Sequence, residues 1–369
     1  MSMIRPMQRP PSISKLLIAA AWLLAAALPA RAHIVPVADM LRGIRMTPAQ
    51  CAAIPMTVWL KVMGRDFCIR YYLSTAGGEG SRPVVFLQGD RFGRFDRKTN
   101  TFSLGPHDKD IDTDDFVRFA DGLSKQTKTT AIYLGRVGVE GSSGDHRIRH
   151  SVLELNVTNA ALDAIKRRHH FDGFHLVGQS GGSTLVGGML ALRSDIGCAV
   201  LGSGRLSFDR PQRRSGDPGV DVFNVADGIA VIAQKPATRI LVVTDPADRK
   251  VPERIQTAFV RKLQQAGGRA EQFMVQAIDD DHHGVVAYAR TAATGCLRGA
   301  STQDIAQHIQ HVVEKRVAAK AKADAQRQAT TGQQPVPVSG PATAPHPVTT
   351  GSRTVAPNLD PSGAGSLVR

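Results

Sequence analysis

Hydrophobic positions along this chain follow two rhythms. Pro83 to Leu87 (PVVFL), Ala131 to Leu134, Phe174 to Val177, Cys198 to Leu201 and Arg239 to Thr244 are short runs, apolar almost throughout. Such runs between breakers predict strands buried on both faces, as in the middle of a parallel sheet. Between them the period lengthens. Over about Ser151 to His170, the residues Leu153, Val157, Ala161, Ala164 and Ile165 share one helical face. Further helices are predicted from Asp112, a capping residue, to about Thr127, over Thr184 to Arg193, Pro252 to Gln265 and Val285 to Thr294, and from about Thr302 to Lys322, with a strand at Gln272 to Ala277. Near the start, Met56 to Val62 and Phe67 to Leu73 read as a hairpin around Met63-Gly64-Arg65-Asp66.

Strands alternating with helices predict an α/β fold, a mostly parallel doubly wound sheet with the hairpin adding antiparallel strands at one edge. The stretch from Gly202 to Pro236 holds one short helix, around Val225 to Ala233, and is too short for a large cap domain. Polar, Gly-rich loops are expected at Arg91–Ile111 and Gly135–Arg147.

Both ends differ from this middle. Arg5, Arg9 and Lys15 precede the 13-residue apolar run Leu16 to Leu28, and Ala30-Arg31-Ala32 follows. A basic start, a short apolar run and an A-x-A site predict a signal peptide over 1–32, cleaved before His33. The run is too short to span a bilayer comfortably, and no later run is longer, so no integral membrane domain is expected after cleavage. Residues 326–369 are rich in Pro, Thr, Ser, Gly, Ala and Gln, with few large apolar side chains. Such a segment cannot bury enough surface to offset its chain entropy and is expected to be a disordered tail. The folded domain is then 33–325.

The formal net charge of +14 sits largely in these ends. Residues 1–32 hold four basic residues and no acid. Residues 315–369 hold seven basic residues against Asp324 and Asp360, which leaves +5 for 33–314. That is a mildly basic surface, without the clustered stripe and aromatics of a nucleic-acid binder. All four cysteines, Cys51, Cys68, Cys198 and Cys296, follow the cleavage site. An even count in an oxidising compartment suggests disulfides, and of three connectivities Cys51–Cys68 with Cys198–Cys296 is favoured.

The chemistry centres on Gly178-Gln179-Ser180-Gly181-Gly182. A Gly-x-Ser-x-Gly match between a buried strand and a helix predicts a nucleophile elbow, with Ser180 on a strained turn. The glycines are needed where side chains would strike neighbouring backbone. A phosphate loop is the bland alternative, but Ser183-Thr184 lacks the preceding Lys. A serine needs a base, and the base a carboxylate. Asp245 and Asp248 follow the Arg239–Thr244 strand, and Asp248, further along the loop, is preferred. His282 and His283 follow Asp279-Asp280-Asp281, and His283, beside Gly284, is preferred. A metal site there is disfavoured because the run lacks a helical pair of ligands four residues apart, and neither metal nor cofactor is called for.

The elbow, then Asp248 with Val251-Pro252, then His283-Gly284, resembles the α/β-hydrolase superfamily, in particular its prolyl-oligopeptidase-like and dienelactone-hydrolase-like serine hydrolases, over about residues 55–300. The resemblance implies Ser180, Asp248 and His283 as a triad, with oxyanion donors from Gly181 and from Asp90 or Gly89. Here the oxyanion loop reads Gln88-Gly89-Asp90, not His-Gly. The implied activity is hydrolysis of a small-molecule ester or a peptide by an exported enzyme, periplasmic or secreted. A peptidase of the prolyl-oligopeptidase type is the alternative enzyme. A hydrolase fold kept only for binding is the alternative outside enzymes.

Overall fold

The computed structural model describes residues 43–96, 101–104, 112–207 and 219–331. The expected leader and the tail beyond Thr331 lie outside them.

Eight strands form one sheet: β1 (Thr57–Val62), β2 (Arg65–Ser74), β3 (Val84–Leu87), β4 (Ala131–Leu134), β5 (Phe174–Gln179), β6 (Ile196–Gly202), β7 (Arg239–Thr244) and β8 (Ala270–Met274). Their spatial order is β1-β2-β4-β3-β5-β6-β7-β8. Strand β2 is antiparallel to both its neighbours, and every pairing from β4 to β8 is parallel. This is the doubly wound α/β-hydrolase architecture. The turn between β1 and β2 is tighter than the sequence suggested. Met63 (φ 48°) and Gly64 (φ 74°) alone make it, both left-handed, the backbone that matches strand twist in a two-residue hairpin.

Eight helices accompany the sheet among the described residues: α1 (Pro48–Ala52), α2 (Thr113–Thr127), α3 (Val152–His169), α4 (Gly181–Leu192), α5 (Ile229–Ala233), α6 (Glu253–Gln265), α7 (Val286–Leu297) and α8 (Thr302–Thr331). Asp112 caps α2 by accepting from the N–H groups of Asp114 and Asp115, and Asp115 returns the bond, which satisfies amides the helix leaves unpaired. Two apolar layers result. One face packs Val85, Leu87, Leu176 and Val242 against α3, α4 and α6; the other packs Phe86, Val177, Val200 and Val243 against α2 and α7. Strand β3 is fully buried on both faces, as its unbroken apolar run requires.

Three local differences from the sequence reading stand out. A small antiparallel ribbon, Phe92–Asp96 with Thr101–Leu104, lies in the stretch expected to be loop. Helix α8 runs past Lys322 to Thr331, because its Ala, Lys, Gln and Arg residues are good helix formers whether or not they pack. Strand β8 starts earlier and ends at Met274, which leaves Val275 to Val285 as a longer loop. Cys51 is bridged to Cys68 and Cys198 to Cys296, tying α1 to β2 and β6 to α7.

Candidate active site

In a parallel sheet the loops leaving the carboxyl ends of the strands converge on one edge. Ser180 stands between β5 and α4 with φ 53° and ψ −119°. A non-glycine residue rarely adopts this backbone, and it persists only where the surroundings fix it. Here the Ser180 N–H donates to the Gly202 carbonyl at 2.8 Å. The flanking glycines are required by contact. A Cβ on Gly182 would lie 2.0 Å from the Leu87 carbonyl oxygen, and one on Gly178 would lie 2.5 Å from the Ser183 nitrogen. The N-terminal amides of α4 begin at Gly181, next to Ser180.

The two Asp and two His of the sequence reading form two separate pairs. His283 Nδ1 is 2.9 and 3.1 Å from the two carboxylate oxygens of Asp248. That carboxylate is buried and also accepts from the N–H groups of Lys250 (2.8 Å) and Val251 (2.9 Å). Burial alone would raise its pKa, but the His283 and backbone hydrogen bonds overcome this and hold it below the usual carboxylate range. His282 Nδ1 bonds Asp245 at 3.0 Å instead. Asp245 also accepts from Ala247 N (2.8 Å) and Ala277 N (2.6 Å). It thus makes the turn expected of it and, in addition, stitches the β7 loop to the β8 loop.

Ser180 and His283 line one cavity of about 740 Å³, together with Gly89, Asp90, His150 and Gly181. Asp248 lies behind His283. Among the described residues no hydrogen bond joins Ser180 Oγ to His283. The His283 loop is fixed from two sides. Asp279 accepts from the N–H groups of His283 (3.1 Å) and Gly284 (2.8 Å), and Gln179 Nε2 donates to the His283 carbonyl at 2.7 Å. The unspecified residue of the Gly-x-Ser-x-Gly motif therefore ties the elbow to the histidine loop.

The Gln88-Gly89-Asp90 loop, expected to supply an oxyanion donor, has supports that the sequence reading did not find. Asp90 faces the site beside Gly181, where a Cβ would fall 2.1 Å from Asp90 Oδ1. The guanidinium of Arg136 is fully buried. It donates to Asp90 Oδ1 (2.8 Å), to the Gln88 carbonyl (3.2 Å) and to both oxygens of Glu154 (2.9 and 3.1 Å). His150 Nε2 lies 3.0 Å from each Asp90 oxygen, and Arg149 lies 3.3 Å from one. Burial would raise the Asp90 pKa; Arg136 and His150 overcome it and hold the carboxyl well below its usual range. Arg136 lies in the Gly-rich stretch Gly135–Arg147, and His150 just beyond it. Nothing in their local sequence separates them from solvent-facing cations.

No family model and no curated protein matches this chain. Solved structures do. Est1E from Butyrivibrio proteoclasticus, with ferulic acid bound, is 14% identical and has a TM-score of 0.44, over 66% of this chain and 98% of that one. An esterase of Pyrococcus furiosus is 13% identical with a TM-score of 0.48, over 73% and 98%. Acylaminoacyl peptidase from Pyrococcus horikoshii is 12% identical with a TM-score of 0.41, over 63% and 38%. At such distances the strand order and the elbow, not these likenesses, identify the α/β-hydrolase fold.

Proposed function

We propose that the protein is an exported serine hydrolase acting on an ester bond, with an amide as the lesser alternative. The observation that carries this reading is the His283–Asp248 pair on the same cavity as Ser180, whose backbone is held in a left-handed turn at the head of α4. Ser180 Oγ attacks the carbonyl carbon and His283 Nε2 takes its proton. Asp248 holds the imidazole with the proton on Nδ1 and stabilises the imidazolium. The N–H of Gly181, with that of Asp90 or Gly89, receives the oxyanion. His283 returns its proton to the leaving alkoxide, and water then resolves the acyl-enzyme by the same route. The Ser180–His283 hydrogen bond closes when substrate is bound, since such bonds are often long in a free enzyme.

Cleavage after Ala32 and release to the periplasm or beyond belong to the same reading. The leader motif supports them, and two disulfides among the described residues fit an oxidising compartment. No helix among the described residues is long and apolar enough to cross a membrane. The test is covalent labelling of the exported protein by a fluorophosphonate, read by mass. Wild type should gain one adduct on Ser180 and Ser180→Ala none. Labelling of Ser180→Ala at the wild-type rate would refute the assignment.

A further inference from the structure

His150 has no part in the reaction just described, yet its backbone is held in a left-handed conformation, φ 63°. Two hydrogen bonds enforce it: His150 N–H donates to Glu154 at 2.6 Å, and the His150 carbonyl accepts from Phe223 N at 3.1 Å. Strain kept in place in this way clusters at functional sites. The ring is also pinned. Asp90 is ionised and can only accept, so Nε2 carries the proton and donates to it. In the neutral ring Nδ1 is then an acceptor. Among the described residues nothing hydrogen-bonds to Nδ1, and the ring lines the Ser180 cavity.

Two further facts say what meets it. A Cβ on Gly181 would lie 2.8 Å from His150 Nε2, so the ring stands close to the amide assigned to the oxyanion. The sheet order then gives a side. Strands β3 and β4, which carry Asp90 and the His150 loop, lie on one side of β5; β7 and β8, which carry Asp248 and His283, lie on the other. His283 must reach the leaving oxygen, so the alkoxy part of an ester lies on its side. The other side holds the oxyanion donors and, beside them, His150, so an acyl chain leaving the carbonyl carbon away from His283 would pass His150.

Resting on the serine-hydrolase reading, we infer that His150, oriented by Asp90, accepts a hydrogen bond from a hydroxyl on the acyl chain, two or three bonds from the scissile carbonyl. Esters of short hydroxy acids are then the preferred substrate class. A plain acyl chain would cover Nδ1 without replacing the water it displaces, and sites built to bind a hydroxyl reject analogues that lack one.

The test compares the phenyl esters of lactate, propionate and 2-methoxypropionate on the full-length wild type and on His150→Gly. Gly tolerates the left-handed backbone and carries no side-chain acceptor at all. The lactate-to-propionate ratio of kcat/KM should be about tenfold higher in wild type than in the variant, the size of one neutral hydrogen bond. Taking the ratio of ratios cancels the intrinsic reactivity of the esters. Equal ratios overturn the inference. Wild type alone gives a second reading, independent of how the variant folds. The methoxy ester keeps the oxygen and its inductive pull but has no proton to donate. It should fall about tenfold below lactate after correction for alkaline hydrolysis, and equal turnover of the two also overturns the inference. Ser180→Ala separates the levels. If it hydrolyses these esters as wild type does, the hydrolase reading falls; if it is inactive while the ratios are equal, only the role of His150 falls.

Discussion

Replacing Asp248 by Asn should silence the protein without unfolding it, and the hydrogen bonds say why. Asp248 Oδ1 accepts two backbone N–H groups, from Lys250 and Val251, at 2.8 and 2.9 Å. In Asp248→Asn only the amide oxygen can accept them, so the amide NH₂ must turn to His283 Nδ1. Nδ1 then accepts, and the ring proton moves to Nε2. That tautomer points a hydrogen at Ser180 and cannot take its proton. A wrong tautomer in an otherwise intact triad costs about 10⁴ in turnover, which is about 5.5 kcal/mol of transition-state stabilisation. Stability should change much less, by about 1–2 kcal/mol, since both backbone bonds survive and one charge-assisted bond weakens. The assay is kcat/KM on 4-nitrophenyl acetate with urea unfolding alongside, for Asp248→Asn, Asp245→Asn, His283→Ala and His282→Ala. Asp245→Asn and His282→Ala disturb the loop stitch and should lose about tenfold. Activity of Asp248→Asn within tenfold of wild type would refute the tautomer argument. Inactivity confined to Asp245→Asn and His282→Ala would move the site to the other pair.

Other perturbations test other parts of the fold. Gly182→Ala should lower both stability and turnover, because its Cβ would meet the Leu87 carbonyl oxygen at 2.0 Å and the oxyanion loop would have to move; unchanged urea midpoint and kcat would contradict this. Replacing Cys198 and Cys296 by Ser opens a 98-residue separation and should cost about 4–5 kcal/mol by the chain-entropy relation, more than the about 3 kcal/mol for Cys51 and Cys68, 17 residues apart. Urea unfolding of the two double variants checks the order. Burial, with Arg136 nearby, lowers the His146 pKa to about 3 from an ordinary value of 6.5. The unfolded chain therefore binds a proton that the native state refuses. The stability contributed by neutral His146 is complete above about 6.5 and is lost as pH falls toward about 3. Urea midpoints across that range should decline, and less steeply in His146→Gln.

Most of the secondary structure and the residue types of the candidate site were legible in the sequence, because both follow from short-range rules. PVVFL between breakers reads as a buried strand, Asp112 ahead of an apolar-periodic run reads as a helix cap, and glycines on both sides of Ser180 suit a turn that leaves no room for side chains. The bounds erred where local preference and packing part company. Helix α8 continues beyond Lys322 on propensity, and β8 stops at Met274 because that is where pairing with β7 ends.

Partnership was a different matter. The sequence supplied two acids and two histidines, and adjacent residues in a loop cannot be told apart by spacing. The tertiary structure gave His283 to Asp248 and His282 to Asp245, since loop direction depends on backbone bonds from Asp279, Gln179 and Ala277, up to 104 residues away. The same holds for Arg136. In the sequence it is one more cation beside a Gly-rich stretch. In the fold it is buried among Asp90, Glu154 and the Gln88 carbonyl, because only there do opposite charges and lone pairs replace the water it loses. A chain states locally what each residue prefers. Which distant group satisfies that preference is decided by the sheet order, which brings six loops to one edge.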